Sequence, residues 1–198
     1  WNRAAILMAN LNAVAQKSDR GAYYPGTAER LDAFKSKAKT YRSIVRGAAP
    51  SLIVNDVDDS DWFKDTEVFG PAISTYEMDA TNAQTYLRSA VAYANDQLYG
   101  TLGANILIHP KTIKEIGKTQ FENIIADLHY GTIAINAWTG LAFLATACPW
   151  GAFPGHTPQD VQSGIGTVHN TFMLEDTERV VIQAPWAPFP RGLLSGQF

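Results

Sequence analysis

Cysteine is nearly absent from these 198 residues: Cys148 stands alone, beside three methionines, and charged side chains make up only 18% of the chain. A single thiol cannot close an internal disulfide, so the fold does not depend on an oxidising compartment and a cytoplasmic location is the expectation. Long apolar runs are missing too. No stretch approaches the roughly twenty apolar residues that a membrane helix requires. The opening run Arg3-Ala4-Ala5-Ile6-Leu7-Met8-Ala9, followed by Ala13-Val14-Ala15, imitates the apolar core of a signal peptide, but Asn10 and Asn12 interrupt it. Excess charge of one sign is also lacking. With 16 basic against 19 acidic residues and a net charge of -3, neither a nucleic acid nor an acidic membrane is an expected partner. The densest basic stretch, residues 30–46, alternates with Leu31, Phe34, Ala38 and Tyr41, which reads as the wet face of an amphipathic helix. No internal repeat is visible.

What the chain has is the composition of a packed globular protein, 46% hydrophobic, and a length at which about seventy per cent of the unfolded surface can be buried. Apolar spacing predicts helices over residues 2–17 and 27–45, separated by the turn Tyr24-Pro25-Gly26. A short strand is expected over 51–54 and an acidic loop over 56–65. Within that loop Asp56, Asp58, Asp59 and Asp61 lack the glycine and the closing glutamate of a calcium loop, which favours a solvated turn. Strands at 73–78, 104–109 and 132–137 then alternate with helices at 82–96 and 112–130, the pattern of a parallel sheet. The continuous apolar runs Ile106-Leu107-Ile108 and Ile133-Ala134-Ile135 suit strands covered on both faces. The fold class expected is therefore α/β, a largely parallel sheet with helices on both faces. Past Ala137 the chain turns rich in Gly, Pro and aromatics, as a long functional loop region would.

The last readable element is the strand Val180-Val181-Ile182-Gln183-Ala184, stopped by Pro185. Pro188, Pro190, Gly192 and Gly196 argue for an extended tail after it. The chain is thus divided into residues 1–179 and a terminal strand and tail, 180–198. An apolar strand without an obvious partner in its own domain is an edge that needs covering, by a second subunit or by the same chain.

The candidate chemistry centres on Glu67-Val68-Phe69-Gly70-Pro71. In an extended segment a carboxylate and an aromatic two positions apart share a face, so one can accept hydrogen bonds from a ribose while the other packs on a flat ring. The plainer reading is a strand end before a turn. Cys148, followed by Pro149-Trp150-Gly151 and with His156 eight positions on, is either a thiol nucleophile or a small packed residue. Trp150, with Phe143 or Phe153, forms either an apolar pocket wall or ordinary core. Asn136 is a strand-end residue whose side chain suits a cap. The pair Gly164-Ile165-Gly166 is half of a dinucleotide fingerprint, with no strand before it and no third glycine after it. His109, His129, His156 and His169 show no metal-ligand spacing.

Taken in order, Glu67-Val68-Phe69-Gly70-Pro71, Ala94-Asn95-Asp96-Gln97-Leu98-Tyr99-Gly100, the strand 104–108, Gly131-Thr132-Ile133-Ala134-Ile135-Asn136, Pro149-Trp150-Gly151 and Ser163-Gly164-Ile165-Gly166 form a series. This series resembles the C-terminal, catalytic-domain half of the NAD(P)-dependent aldehyde dehydrogenase superfamily, over residues 67–185. Residues 1–66 are placed by position and helical pattern only. The family's aromatic-Gly-Gly run stands here as Trp150-Gly151-Ala152, and residues 153–162 are longer than usual. The resemblance implies oxidation of an aldehyde through a cysteine thioester, with NAD or NADP as cofactor. It implies that Glu67 and Phe69 contact the nicotinamide half of that cofactor. Trp150, Phe143 and Phe153 would line the aldehyde pocket, with Cys148 beside it and Asn136 near the catalytic centre. The family's nucleophilic cysteine and general-base glutamate lie upstream of the matched segment. The chain opens on Trp1 and contains nothing that reads as a dinucleotide-binding domain, so it is read as a portion, inactive by itself, that works with such an upstream domain. The terminal strand 180–184 resembles the family's inter-subunit strand, which implies a homo-oligomer. Two readings of other classes stand beside this one: a non-catalytic assembly module built on that strand, and a stand-alone thiol enzyme using Cys148.

Overall fold

The computed structural model describes residues 3–57, 61–170 and 172–186. It divides into two compact units, residues 1–80 and 81–198. The first contains α1 (Arg3–Ala15), α2 (Thr27–Lys37), β1 (Arg42–Arg46), β2 (Ala49–Asp56), α3 (Asp61–Asp65) and β3 (Ala72–Thr75). Strands β1 and β2 form an antiparallel hairpin, and β3 pairs parallel to β2. Neighbouring residues of β2 point to opposite faces, so Val54 and Ile53, both almost fully buried, seed two cores. Val54 gathers Ile44, Ile73 and, from α1, Met8 and Ala15. Ile53 gathers Leu31 and Phe34 of α2 together with Trp62 and Phe63 of α3. Helices therefore cover both faces of this small mixed sheet.

Two expectations fail in this unit for physical reasons. The helix predicted over 27–45 stops at Lys37, because Ala38 is extended (φ -73°, ψ 130°). Residues 42–46 go into the sheet instead, where β-branched Ile44 and Val45 suit a pleated surface better than a helix, and the exposure pattern alternates accordingly. The acidic segment is not all loop: Asp61 opens the short helix α3 and pairs with Lys64 at 3.7 Å, while Asp56 pairs with Arg42 at 3.2 Å. Asp58 and Asp59 lie outside the described residues.

The second unit contains α4 (Ala83–Gln97), β4 (Gly103–Ile106), α5 (Pro110–Ile116), α6 (Lys118–Ala126), β5 (Thr132–Ile135), α7 (Gly140–Leu144), β6 (Trp150–Gly151), β7 (Thr167–Val168) and β8 (Val180–Gln183). Asn82 caps α4, its Oδ1 accepting from the Thr85 amide at 2.9 Å. The helix predicted over 112–130 is broken in two at Gly117, whose φ of 89° suits glycine, and Gly117 donates to the Ile113 carbonyl to close α5. The β-sheet runs β4-β5-β8 with all strands parallel, and β6 and β7 form a separate two-stranded antiparallel ribbon. The protein is thus α/β, but its strands are divided among a mixed, a parallel and an antiparallel sheet. A single largely parallel sheet is not what forms.

Every residue of β5 is buried. On one face Ile133 and Ile135, joined by Ala104 and Ile106 of β4, pack against Leu87 and Val91 of α4 and Phe121, Ile124 and Ile125 of α6. On the other face, shared by Gly103, Asn105, Thr132 and Ala134, Thr139 folds back: its amide donates to Asn105 Oδ1 at 3.1 Å and its side chain lies over Gly103. The terminal strand, expected to lack a partner in its own domain, has one. β8 pairs with β5 from Thr132↔Val180 to Ile135↔Gln183, and the Ala184 amide continues to the Ile135 carbonyl at 3.0 Å. Residues 180–186 are therefore part of the second unit, while the tail glycines and prolines from 188 onward lie outside the described residues. Among the described residues no helix is long and apolar enough to cross a membrane.

Gly131 enters β5 under the chain of β6. A Cβ there would stand 1.9 Å from the Gly151 carbonyl oxygen, so no side chain fits without moving backbone. Gly131→Ala is expected to cost about 3 kcal/mol or more, from overpacking against backbone. Gly166→Ala, where a Cβ meets nothing within 4 Å, is expected to stay within about 0.5 kcal/mol of the wild type. Denaturant midpoints of the two variants check this, and equal midpoints would refute the close approach.

Candidate functional site

In the first unit the Glu67–Gly70 segment joins α3 to β3 as a bend, not as an extended strand end. Phe69 has φ 46°, a left-handed conformation, so the period-two argument for a shared face does not apply. Glu67 and Phe69 are nevertheless both exposed, and they approach a common neighbour. The Phe69 ring meets Tyr24 edge-on, with centroids 5.3 Å apart. The Tyr24 phenol is held above its ordinary pKa, first by its hydrogen bond with Tyr23, then by Tyr23 charge and by desolvation, and also by the Glu67 carboxylate. Tyr23 stacks on Tyr24 at 4.5 Å, so the group presents three aromatic rings. The α2 end of the unit holds the bend: Arg30 Nε donates to the Val68 carbonyl at 2.7 Å, and the Thr27 hydroxyl reaches the Phe69 carbonyl at 3.4 Å.

In the second unit the chain leaves β5 through Asn136, at φ 54°. Its carboxamide imitates a peptide group. Nδ2 donates to the Ile108 carbonyl at 2.9 Å, Oδ1 accepts from the Ile108 amide at 2.8 Å, and its own amide reaches Ile106. These bonds extend the β4–β5 pairing past the end of the strands, and both polar ends of the side chain are occupied.

Phe143 of α7 and Trp150 of β6 meet edge-on at 5.5 Å, the pairing expected of a shared apolar wall. Phe153 is not part of it. That ring stacks on His129 at 4.7 Å, with the Arg179 guanidinium 4.9 Å above its centre, and Arg179 also donates to the carbonyls of Leu128 and Ala126. Phe153 therefore anchors the loop to the end of α6. The contact of Gly151 with Gly131 brings the β6 backbone to the amino-terminal end of the parallel strands, whereas Asn136 stands at their carboxyl-terminal end, where open α/β sheets usually bind ligands.

Cys148 is half-buried, its amide bonded to the Ala145 carbonyl at 2.8 Å. His156, the nearest histidine in sequence, shares a 2.7 Å hydrogen bond with Thr101 Oγ1. Together with Thr101 N→Ser163 Oγ at 2.8 Å and Gly100 N→Gln162 Oε1 at 3.2 Å, this straps residues 156–163 onto the segment before β4. His169 is the histidine on the aromatic wall, its ring 5.1 Å from Phe143, and its Nδ1 is buried without a hydrogen-bond partner among the described residues. It adopts φ 64°, and Asn170 beside it, at φ 39°, donates to the Ala147 carbonyl at 2.7 Å. Sequence reasoning singled out neither His169 nor Asn170 for this wall, and missed Tyr24 and Arg30 as neighbours of Phe69. The available cue was residue type alone, since Asn and His are enriched at positive φ.

Asn136→Ala is expected to lower stability by about 2–4 kcal/mol, combining a left-handed alanine with an Ile108 peptide group left unpaired. Asn136→Gly, which tolerates the φ, is expected to lose less. Chemical denaturation measures both, and an alanine variant as stable as the wild type would remove the capping role. No protein-family model, curated protein or solved structure matches the chain.

Proposed function

We propose that this chain is the catalytic-domain portion of an NAD(P)-dependent oxidoreductase that converts an aldehyde, through a cysteine thioester, to a carboxylic acid or acyl product. The nucleophile and general base are contributed by residues upstream of the segment that carries the resemblance, with a dinucleotide-binding domain before them. A cytoplasmic location belongs to the same proposal. The observation that supports it most directly is the exposed pair Glu67 and Phe69, brought beside Tyr24 by the bend.

These residues fit the nicotinamide half of the cofactor. An ionised carboxylate is acceptor-only and takes both hydroxyls of a ribose diol, and an exposed aromatic ring offers a flat apolar surface to a heteroaromatic one. Bound there, the cofactor would supply the hydride acceptor. Glu67 would fix the ribose and Phe69 would limit the tilt of the ring, so the contribution of this unit is positioning rather than bond making. Phe143 and Trp150 would supply apolar surface for the aldehyde, and His169 Nδ1 an unused polar atom beside that surface. Cys148 serves as packing in this reading. The thiol-enzyme alternative is weakened by the engagement of His156 with Thr101.

Assembly is part of the proposal. β8 ends the order β4-β5-β8, so its outer edge carries no further strand among the described residues, and Val181 is exposed. Val180, Val181, Ile182, Gln183 and Ala184 would pair there with a second copy.

The full-length gene product is expected to reduce NAD+ or NADP+ in the presence of aldehydes, while residues 1–198 alone do not. Glu67→Gln should slow hydride transfer about tenfold or more while acylation of the thiol continues. Stopped-flow absorbance of the reduced nicotinamide reads the first step and release of an activated ester's leaving group reads the second. A normal hydride step in the variant, or no reduction with any aldehyde, would contradict the proposal.

A further inference from the structure

Phe69 is held where an aromatic residue does not go unaided. A bulky side chain at φ 46° is disfavoured by its own Cβ, so the surroundings must impose the conformation. One side chain reaches the carbonyls on both sides of Phe69. The Arg30 guanidinium donates through Nε to the Val68 carbonyl at 2.7 Å and through one terminal nitrogen to the Pro25 carbonyl at 2.9 Å. Its other terminal nitrogen reaches the Phe69 carbonyl at 3.4 Å and Thr27 Oγ1 at 3.3 Å. Thr27 completes the set, its hydroxyl lying 2.6 Å from the Tyr24 carbonyl. One planar fork thus ties the turn that carries Tyr24 to the two peptide groups on either side of Phe69.

We infer that Arg30 is a positioning residue for the proposed redox reaction: it acts through Glu67 and Phe69, setting the direction in which the bend presents the carboxylate and the ring. The inference rests on the functional reading above. Arg30 lies 37 positions upstream of Glu67 and outside the matched segment, so the resemblance does not assign it. The geometry requires arginine. Its donors are fixed in one plane and reach several carbonyls at once, whereas a lysine ammonium is a point charge on a flexible stem.

The test uses Arg30→Met and Arg30→Lys in the full-length protein, with two readouts. Backbone order parameters at Val68 and Phe69 are expected to fall from the rigid range near 0.85 to below about 0.6 in both variants, while β2 is unchanged. Unaltered order at these two residues overturns the inference whatever the protein catalyses. In the kinetic readout, hydride transfer is expected to slow about tenfold or more relative to thiol acylation by an activated ester, with lysine giving no rescue. Arg30→Met placed on Glu67→Gln should add little, because the two act on the same step. Equal slowing of both steps, full rescue by lysine, or additive losses in the double variant would each overturn the positioning role. A wild-type protein that reduces no cofactor with any aldehyde overturns the functional reading instead, and the order parameters then decide whether Arg30 clamps the bend.

Discussion

The second unit depends on strand β5 being enclosed on every side. Its edges are bonded to β4 and β8, and its two faces are buried from Thr132 to Ile135. Removing four residues from water on both faces leaves no freedom of register, because a one-residue slip would exchange Ile133 and Ile135 for Thr132 and Ala134 beneath α4 and α6. The long segment after β5 inherits its position from this strand. It departs at Asn136, whose side chain prolongs the pairing, and returns at Gly151, whose carbonyl lies over Gly131. The aromatic pair Phe143–Trp150 is carried between those two fixed points.

A different kind of restraint governs the first unit. There the sheet supplies the core through Ile53 and Val54, but the Glu67–Gly70 bend is held by hydrogen bonds from α2 and by an aromatic edge contact. Such a bend is a small reservoir of strain. Strain of this sort concentrates where a chain must present particular atoms, and here the atoms presented are a carboxylate and a ring.

Much of the architecture could be read from the sequence because it follows from local rules. The apolar run of β5, the helix α4 and the apolar strand after residue 179 all appear where periodicity places them. The failures have tertiary causes. Residues 42–46 carry apolar side chains at spacings that suit either state, and pairing with β2 decides for strand. Gly117 interrupts a helical pattern that periodicity alone reads as continuous. The geometry around the candidate residues could not be read from the sequence. Phe69 meets Tyr24 edge-on and Glu67 adds to the charge around that phenol through a left-handed bend, which no period-two pattern encodes. Phe153 sits against His129 and Arg179 and not with Trp150, because the contact is made by residues 24 and 26 positions away in the chain.

The central claim is that the bend at Glu67–Gly70 grips a nicotinamide cofactor. A structure of the full-length protein with NAD+ or NADP+ bound tests it most directly. The account requires the Glu67 carboxylate within hydrogen-bonding distance of the nicotinamide ribose hydroxyls and the Phe69 ring against the nicotinamide. A cofactor bound with its nicotinamide half away from both residues would contradict it.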